Sequence, residues 1–151
     1  MNFKLDAKDL SAMNPAQQAS IIDALFLMIA IDRKIEPREV EEYNATIKRI
    51  PFSLDAKTLD MVLERARLRM KATSDRIAWQ YWVKEIAETI TQPPIREKLL
   101  GTMCQVAIHT GTVEASEREL LNGFAGAFEI PLDKLSAIRA EIVNEAIALK
   151  K

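Results

Sequence analysis

The sequence predicts an all-α fold: a compact bundle of about seven helices, built from helical hairpins duplicated about a pseudo-twofold axis. Apolar residues recur at steps of three and four almost throughout the chain, the signature of amphipathic helices. Four glycines and six prolines in 151 residues, with no alternating Val, Thr and Tyr runs, leave little material for strands. The chain also aligns with itself at an offset of 78 residues.

After a loosely structured start, Asn14-Pro15-Ala16-Gln17 marks a helix start. A capping side chain is followed by proline at the first helical position and by glutamine three residues beyond the cap. This helix runs to about Ile31. A second is expected from Pro37 to near Pro51, and a third from about Asp55 to Lys71. The fourth, from Ser74 to about Ile90, places Trp79, Trp82, Val83, Ile86 and Ile90 on one stripe. Gln92-Pro93-Pro94 starts a fifth that reaches about His109. The sixth spans Ala115 to Phe128, and the seventh runs from about Leu132 to Leu149 and is followed by a lysine pair suited to a helix C-terminus.

The offset of 78 residues sets Asp32 against Thr110, Ile35 against Val113, Glu36 against Glu114, Glu39 against Glu117, and Leu54-Asp55 against Leu132-Asp133 without a gap. The repeat halves are about 15–72 and 93–150, joined by a linking helix at about 74–90, within one domain over 1–151. In each half a highly apolar helix (Ile21 to Ile31, Leu99 to Ile108) precedes a short turn and an amphipathic helix that opens with Glu-x-x-Glu. Helices apolar on most faces belong at the centre of a fold, so these two are expected in the middle, with Trp79 and Trp82 on the linking helix closing one side.

At this length a chain buries about two thirds of the surface its unfolded form exposes and needs no staples. Lys and Arg number 21 against 22 Asp and Glu, so a net charge of -1 provides no overall field toward nucleic acid or an anionic membrane. The lone cysteine, Cys104, lies in an apolar helical run and reads as a buried thiol in a reducing compartment. No export signal opens the chain, and the longest apolar run, Ala24 to Ile31, is far shorter than the roughly 20 residues of a membrane span. A cytoplasmic location without a membrane span is expected.

Ala30-Ile31-Asp32-Arg33-Lys34-Ile35-Glu36-Pro37-Arg38-Glu39, and again Ala107 through Glu117, resemble the repeated signature of the tellurite-resistance TerB-like family. In that family a small-residue apolar helix runs into Asp-Gly-x-(Val/Ile)-x-x-x-Glu. Arg33 stands where the family has glycine; the second copy keeps Gly111 but has Thr110 for the aspartate. The likeness covers about Pro15 to Leu149. It implies a bundle of about seven helices, a role in tellurite or other stress responses, and a metal site on the acidic residues of the turn.

The residues themselves allow two readings of that turn. In one, Asp32, Glu36 and Glu39 gather as oxygen ligands for a divalent cation, calcium or magnesium, with Glu114 and Glu117 as a weaker counterpart. So few carboxylates, beside Arg33, Lys34 and Arg38, would bind it weakly. In the other, Glu39 and Glu117 take the third helical position of a capping box and meet the positive end of the helix dipole, with no ion required.

His109 is the only histidine, and no serine or cysteine stands at a motif position to use it as a base; it suits a helix C-terminus. Arg65, Arg67, Arg69, Lys71 and Arg76 form the one basic concentration, with no interleaved aromatic platform of the kind that binds nucleic acid. Trp79, Tyr81 and Trp82 cannot all share one narrow stripe, so one of them is expected to look outward.

These observations predict a non-enzymatic stress-response module that interacts with another protein or senses a ligand, and binds no nucleic acid. Arg65, Arg69, Trp79 and Trp82 are its candidate contact residues, and no cofactor beyond the weak cation is implied. The alternatives are a purely structural adaptor and a metal-dependent enzyme; the second would need a further strong ligand or a base.

Overall fold

The computed structural model describes residues 3–31, 36–73, 76–109 and 115–149. These form eight helices and no strand. The seven expected helices are all present, within a few residues of their expected ends: α2 (Pro15–Ala30), α3 (Pro37–Arg49), α4 (Ala56–Ala72), α5 (Arg76–Thr89), α6 (Pro93–His109), α7 (Ala115–Ala127) and α8 (Leu132–Leu149).

The eighth, α1 (Ala7–Ser11), lies in the stretch expected to be loose. Asp6 and Asp9 cap it reciprocally: the Asp9 N–H donates to Asp6 Oδ1 at 2.9 Å and the Asp6 N–H to Asp9 Oδ2 at 3.0 Å. Five residues are too few for helical periodicity to register, and so short a helix is marginal by itself. Tertiary contacts hold it: Leu10 is buried and the Lys98 ammonium meets Asp9 Oδ2 at 2.6 Å.

α2 occupies the centre, as its all-round apolar composition predicted. Gln18 through Ala30 are buried without interruption, and the helix packs on α3, α4, α5 and α6. Its start is the expected reciprocal cap, with the Gln17 N–H on Asn14 Oδ1 at 2.9 Å and the Asn14 N–H on Gln17 Oε1 at 3.1 Å. The second apolar helix, α6, packs against α2, α3, α7 and α8 and is equally interior, with Leu99, Leu100, Met103 and Cys104 at 0% exposure. The helix starts keep the offset read in the sequence: Pro15 and Pro93, then Pro37 and Ala115, stand 78 residues apart.

Two polar side chains lock the connections around α2 and α5. The Gln18 amide, buried at the first turn of α2, donates to Met13 O at 3.1 Å and Ser53 Oγ at 2.6 Å, and accepts from the Ser53 N–H at 2.9 Å. It therefore fixes the end of the α1 connection and the loop before α4. Arg96 donates to Ile90 O and Ala87 O, both at 2.6 Å, and satisfies carbonyls that the end of α5 leaves without helical partners.

α5 lies between α2 and α7. Its stripe of Trp79, Trp82, Val83, Ile86 and Ile90 is buried throughout, as the periodicity required. Trp79 rests against Gly123 of α7, whereas Trp82 faces α2 and α4. The aromatic that looks outward is Tyr81, at 64% exposure. Among the described residues no helix is long and apolar enough to cross a membrane.

A cleft between α2, α4 and α5 as the candidate functional site

The acidic corners supply only part of the expected ligand set. Asp32 and Glu114 lie outside the described residues. Glu36 is exposed and its carboxylate lies 3.8 Å from the Arg38 guanidinium. Glu39 and Glu117 are buried at equivalent places on α3 and α7. Glu39 Oε1 accepts the Glu36 N–H at 3.1 Å, half of the capping box anticipated there. Such a bond satisfies a backbone donor at the helix start, where the dipole also favours a carboxylate. The described residues hold no group of three or more His, Cys, Asp or Glu side chains arranged for a metal ion.

The basic concentration at the end of α4 is divided. Arg67 makes a two-pronged bond to Glu64 on its own helix, at 3.0 and 2.6 Å, and points away from the core. Arg65 and Arg69, one turn apart, share a face that looks toward α5. Arg69 pairs with Glu85 at 2.6 Å and lies over the Trp82 ring, 4.7 Å from its centroid. Arg65 is exposed and forms no ion pair among the described residues.

These residues wall a cleft of about 370 Å³, lined also by Ser20, Asp23, Thr58, Val62 and Ile86. Ligand pockets begin at about this size. Asp23 was not among the sequence candidates, although a signal existed: it is the sole charged residue from Pro15 to Ile31. A carboxylate in the middle of a helix that is apolar all round has no solvent face, so α2 carries Asp23 into the interior, where it is 9% exposed.

Burial is the main influence on Asp23 and pushes its pKa upward. The Trp82 indole N–H and the guanidinium groups of Arg65 and Arg69 oppose that shift, while Glu85 adds to it. The indole lies near the carboxyl without forming a hydrogen bond of good geometry, and its Nε1 is buried with no partner among the described residues. Tyr43 of α3, packed edge-on against Phe26 at 5.8 Å, lies within range of the same charge. Its hydroxyl is likewise buried without a partner, and burial pushes its pKa up. Unsatisfied buried polar atoms are rare in folded proteins, and here two of them flank one buried carboxylate.

Of the four contact residues expected from the sequence, the structure brings Arg65, Arg69 and Trp82 together. Trp79 lies apart, against α7. Neither tryptophan is an exposed anchor, at 8% and 1% exposure, because both are needed to close α5 onto its neighbours. Cys104 is fully buried and its thiol is pushed up to about 12, mainly by burial, so it is inert at neutral pH.

The family model for tellurite resistance protein TerB matches residues 17–140. The chain belongs to the TerB family. No curated protein and no solved structure matches it. The matched span of this TerB domain contains Asp23, Arg65, Arg69, Trp82 and Glu85, so the cleft is built wholly from the family portion, whereas α1 and the segment before it lie outside.

The environment of Asp23 makes a stability prediction for the TerB domain. A carboxyl whose pKa is raised on folding binds its proton more tightly in the folded state, so the ionised form costs stability at neutral pH. That cost fades as pH falls toward the unfolded carboxylate value of about 4. Asp23→Asn is therefore expected to stabilise the protein at pH 7 by about 1 kcal/mol, a rise of roughly 2–4 °C in melting temperature, with the gain shrinking toward pH 4. Thermal unfolding across that pH range checks it. An asparagine variant less stable at pH 7 would mean that Arg65, Arg69 and Trp82 hold the charge more strongly than burial opposes it.

Proposed function

We propose that this TerB domain acts in tellurite resistance as a non-enzymatic binding module whose ligand enters the cleft between α2, α4 and α5. Family membership carries the link to tellurite resistance. The observation that carries the site is Asp23: a charged group held in the centre of the fold at a cost in stability, beside a buried indole N–H without a partner. Groups kept in unfavourable settings concentrate where a protein binds or reacts.

The residues lining the cleft favour binding over chemistry. Arg65 and Arg69 are fixed cations, the cleft is lined by neither histidine nor cysteine, and its serine and threonines have no neighbouring base to activate them. Charge and hydrogen-bond complementarity are what such a lining offers a ligand.

The test is tellurite tolerance in cells that depend on this chain. Arg65→Met keeps the length of an exposed side chain and should leave the fold intact, as circular dichroism and melting temperature will show. Tolerance falling to the level of cells lacking the chain is the expected result. A folded Arg65→Met protein that protects as well as the wild type would overturn the cleft as the functional site.

A further inference from the structure

Resting on that reading of the cleft, the chemistry of its walls specifies a class of ligand. Asp23, when ionised, is an acceptor only, and Arg65 and Arg69 are donors only. Both guanidinium groups are close enough to favour the ionised carboxylate, yet neither forms an ion pair with it, and all three line one cavity. A molecule joining them must donate to Asp23 and accept from arginine.

The arginines decide what kind of donor that is. An ammonium group on Asp23 would lie beside Arg65 and Arg69 and be repelled by both. A hydroxyl belonging to an anion meets the opposite field: its charged oxygens accept from the guanidinium fork in short, charge-assisted bonds, while its O–H satisfies the carboxylate. Arg69, already tied to Glu85 and stacked on Trp82, is a fixed wall of the site, and Arg65, exposed at the rim, is free to close on the anion. The cleft is larger than a bare oxyanion, so hydration water enters with it.

We propose that the cleft binds a hydroxylated oxyanion, one that keeps a proton at neutral pH, and rejects oxyanions that have lost every proton. Asp23 is the selecting group: a fully deprotonated anion of similar size sets a bare acceptor against a buried carboxylate, an arrangement with no compensating bond. Hydrogen phosphate and hydrogen tellurite share the required chemistry; sulfate lacks it.

Calorimetric titration of the purified full chain at pH 7.5 and matched ionic strength tests this with phosphate, tellurite and sulfate. Saturable heat is expected from phosphate, tellurite or both, with sulfate at least tenfold weaker. Whichever of the two binds more tightly is the source of the ligand. In Asp23→Asn, whose amide donates as well as accepts, sulfate should gain at least tenfold relative to the hydroxylated anions. In Arg65→Met, binding of every anion should fall at least tenfold.

Sulfate binding as tightly as phosphate and tellurite, or no heat from any of the three, overturns the proposal, as does unchanged selectivity in Asp23→Asn. Failure here is separable from failure of the cleft itself. Lost tolerance in Arg65→Met without oxyanion binding removes the ligand class alone, whereas selective oxyanion binding with undiminished tolerance keeps the ligand class and removes its role in resistance.

Discussion

Trp82→Ala is expected to destabilise the protein by about 3–5 kcal/mol, the range for truncating a large buried aromatic. Trp82 is 1% exposed and fills the junction of α5 with α2 and α4. Its loss also removes the ring over which Arg69 is held 4.7 Å from the centroid. Without that surface the Arg69–Glu85 pair loses its backing and falls toward the small value of an exposed ion pair. Asp23 loses the one neutral donor beside it. Urea unfolding followed by circular dichroism measures the effect. Trp82→Phe separates its parts: it keeps most of the packing, so its stability loss should be less than half that of alanine. It also lacks the N–H, so the Asp23 carboxyl should titrate at higher pH than in the wild type. Alanine costing under about 1 kcal/mol would mean that α5 closes onto α2 without this ring.

How far the sequence discloses this protein depends on whether a feature is local. Helix starts are local: Asn14-Pro15-x-Gln17 and Asp55-x-x-Thr58 carry their own caps, and both appear as read, with the Thr58 N–H on Asp55 Oδ1 at 2.7 Å. The burial of α2 was equally legible, because a helix apolar on all sides has one place to go. By the same logic Asp23 was legible as a buried charge, although the acidic turns drew the search for functional carboxylates away from it. α1 was not, because its five residues gain stability from Lys98, 89 positions away.

The cleft is non-local in the same way. Arg65 and Arg69 read as a basic helix end, Trp82 as core, and nothing in the spacing of α2, α4 and α5 reveals that their three faces converge. The acidic corners show the reverse: the short-range Glu-x-x-Glu pattern was conspicuous in the sequence, and at the first corner it resolves in part into a helix cap.

Gly101 provides the second large effect and shows how the segment outside the family portion is attached. It stands at the position on α6 that the 78-residue offset pairs with Asp23 on α2. A Cβ added there would lie 2.3 Å from Phe3 Cγ and 2.7 Å from Phe3 Cβ, closer than packed atoms approach. The Phe3 ring therefore rests directly on the backbone of α6, 3% exposed, and Thr102 Oγ1 donates to Phe3 O at 3.0 Å to fix the same segment. Glycine within a helix costs up to about 1 kcal/mol against alanine, so on propensity alone Gly101→Ala would stabilise. The contact with Phe3 should win: overpacking a rigid site costs about 1–3 kcal/mol, and eviction of Phe3 forfeits most of the burial of a phenylalanine. A net loss of about 2 kcal/mol is expected for Gly101→Ala, and about 3 kcal/mol for Phe3→Ala alone. In the double variant the clash is gone and helix propensity acts unopposed, so Gly101→Ala should change sign and restore up to about 1 kcal/mol to Phe3→Ala. Unfolding free energies for the four proteins of this cycle decide the matter: additive losses would show that the glycine is required by something other than Phe3, and the sign reversal would show that the two residues were fitted to each other.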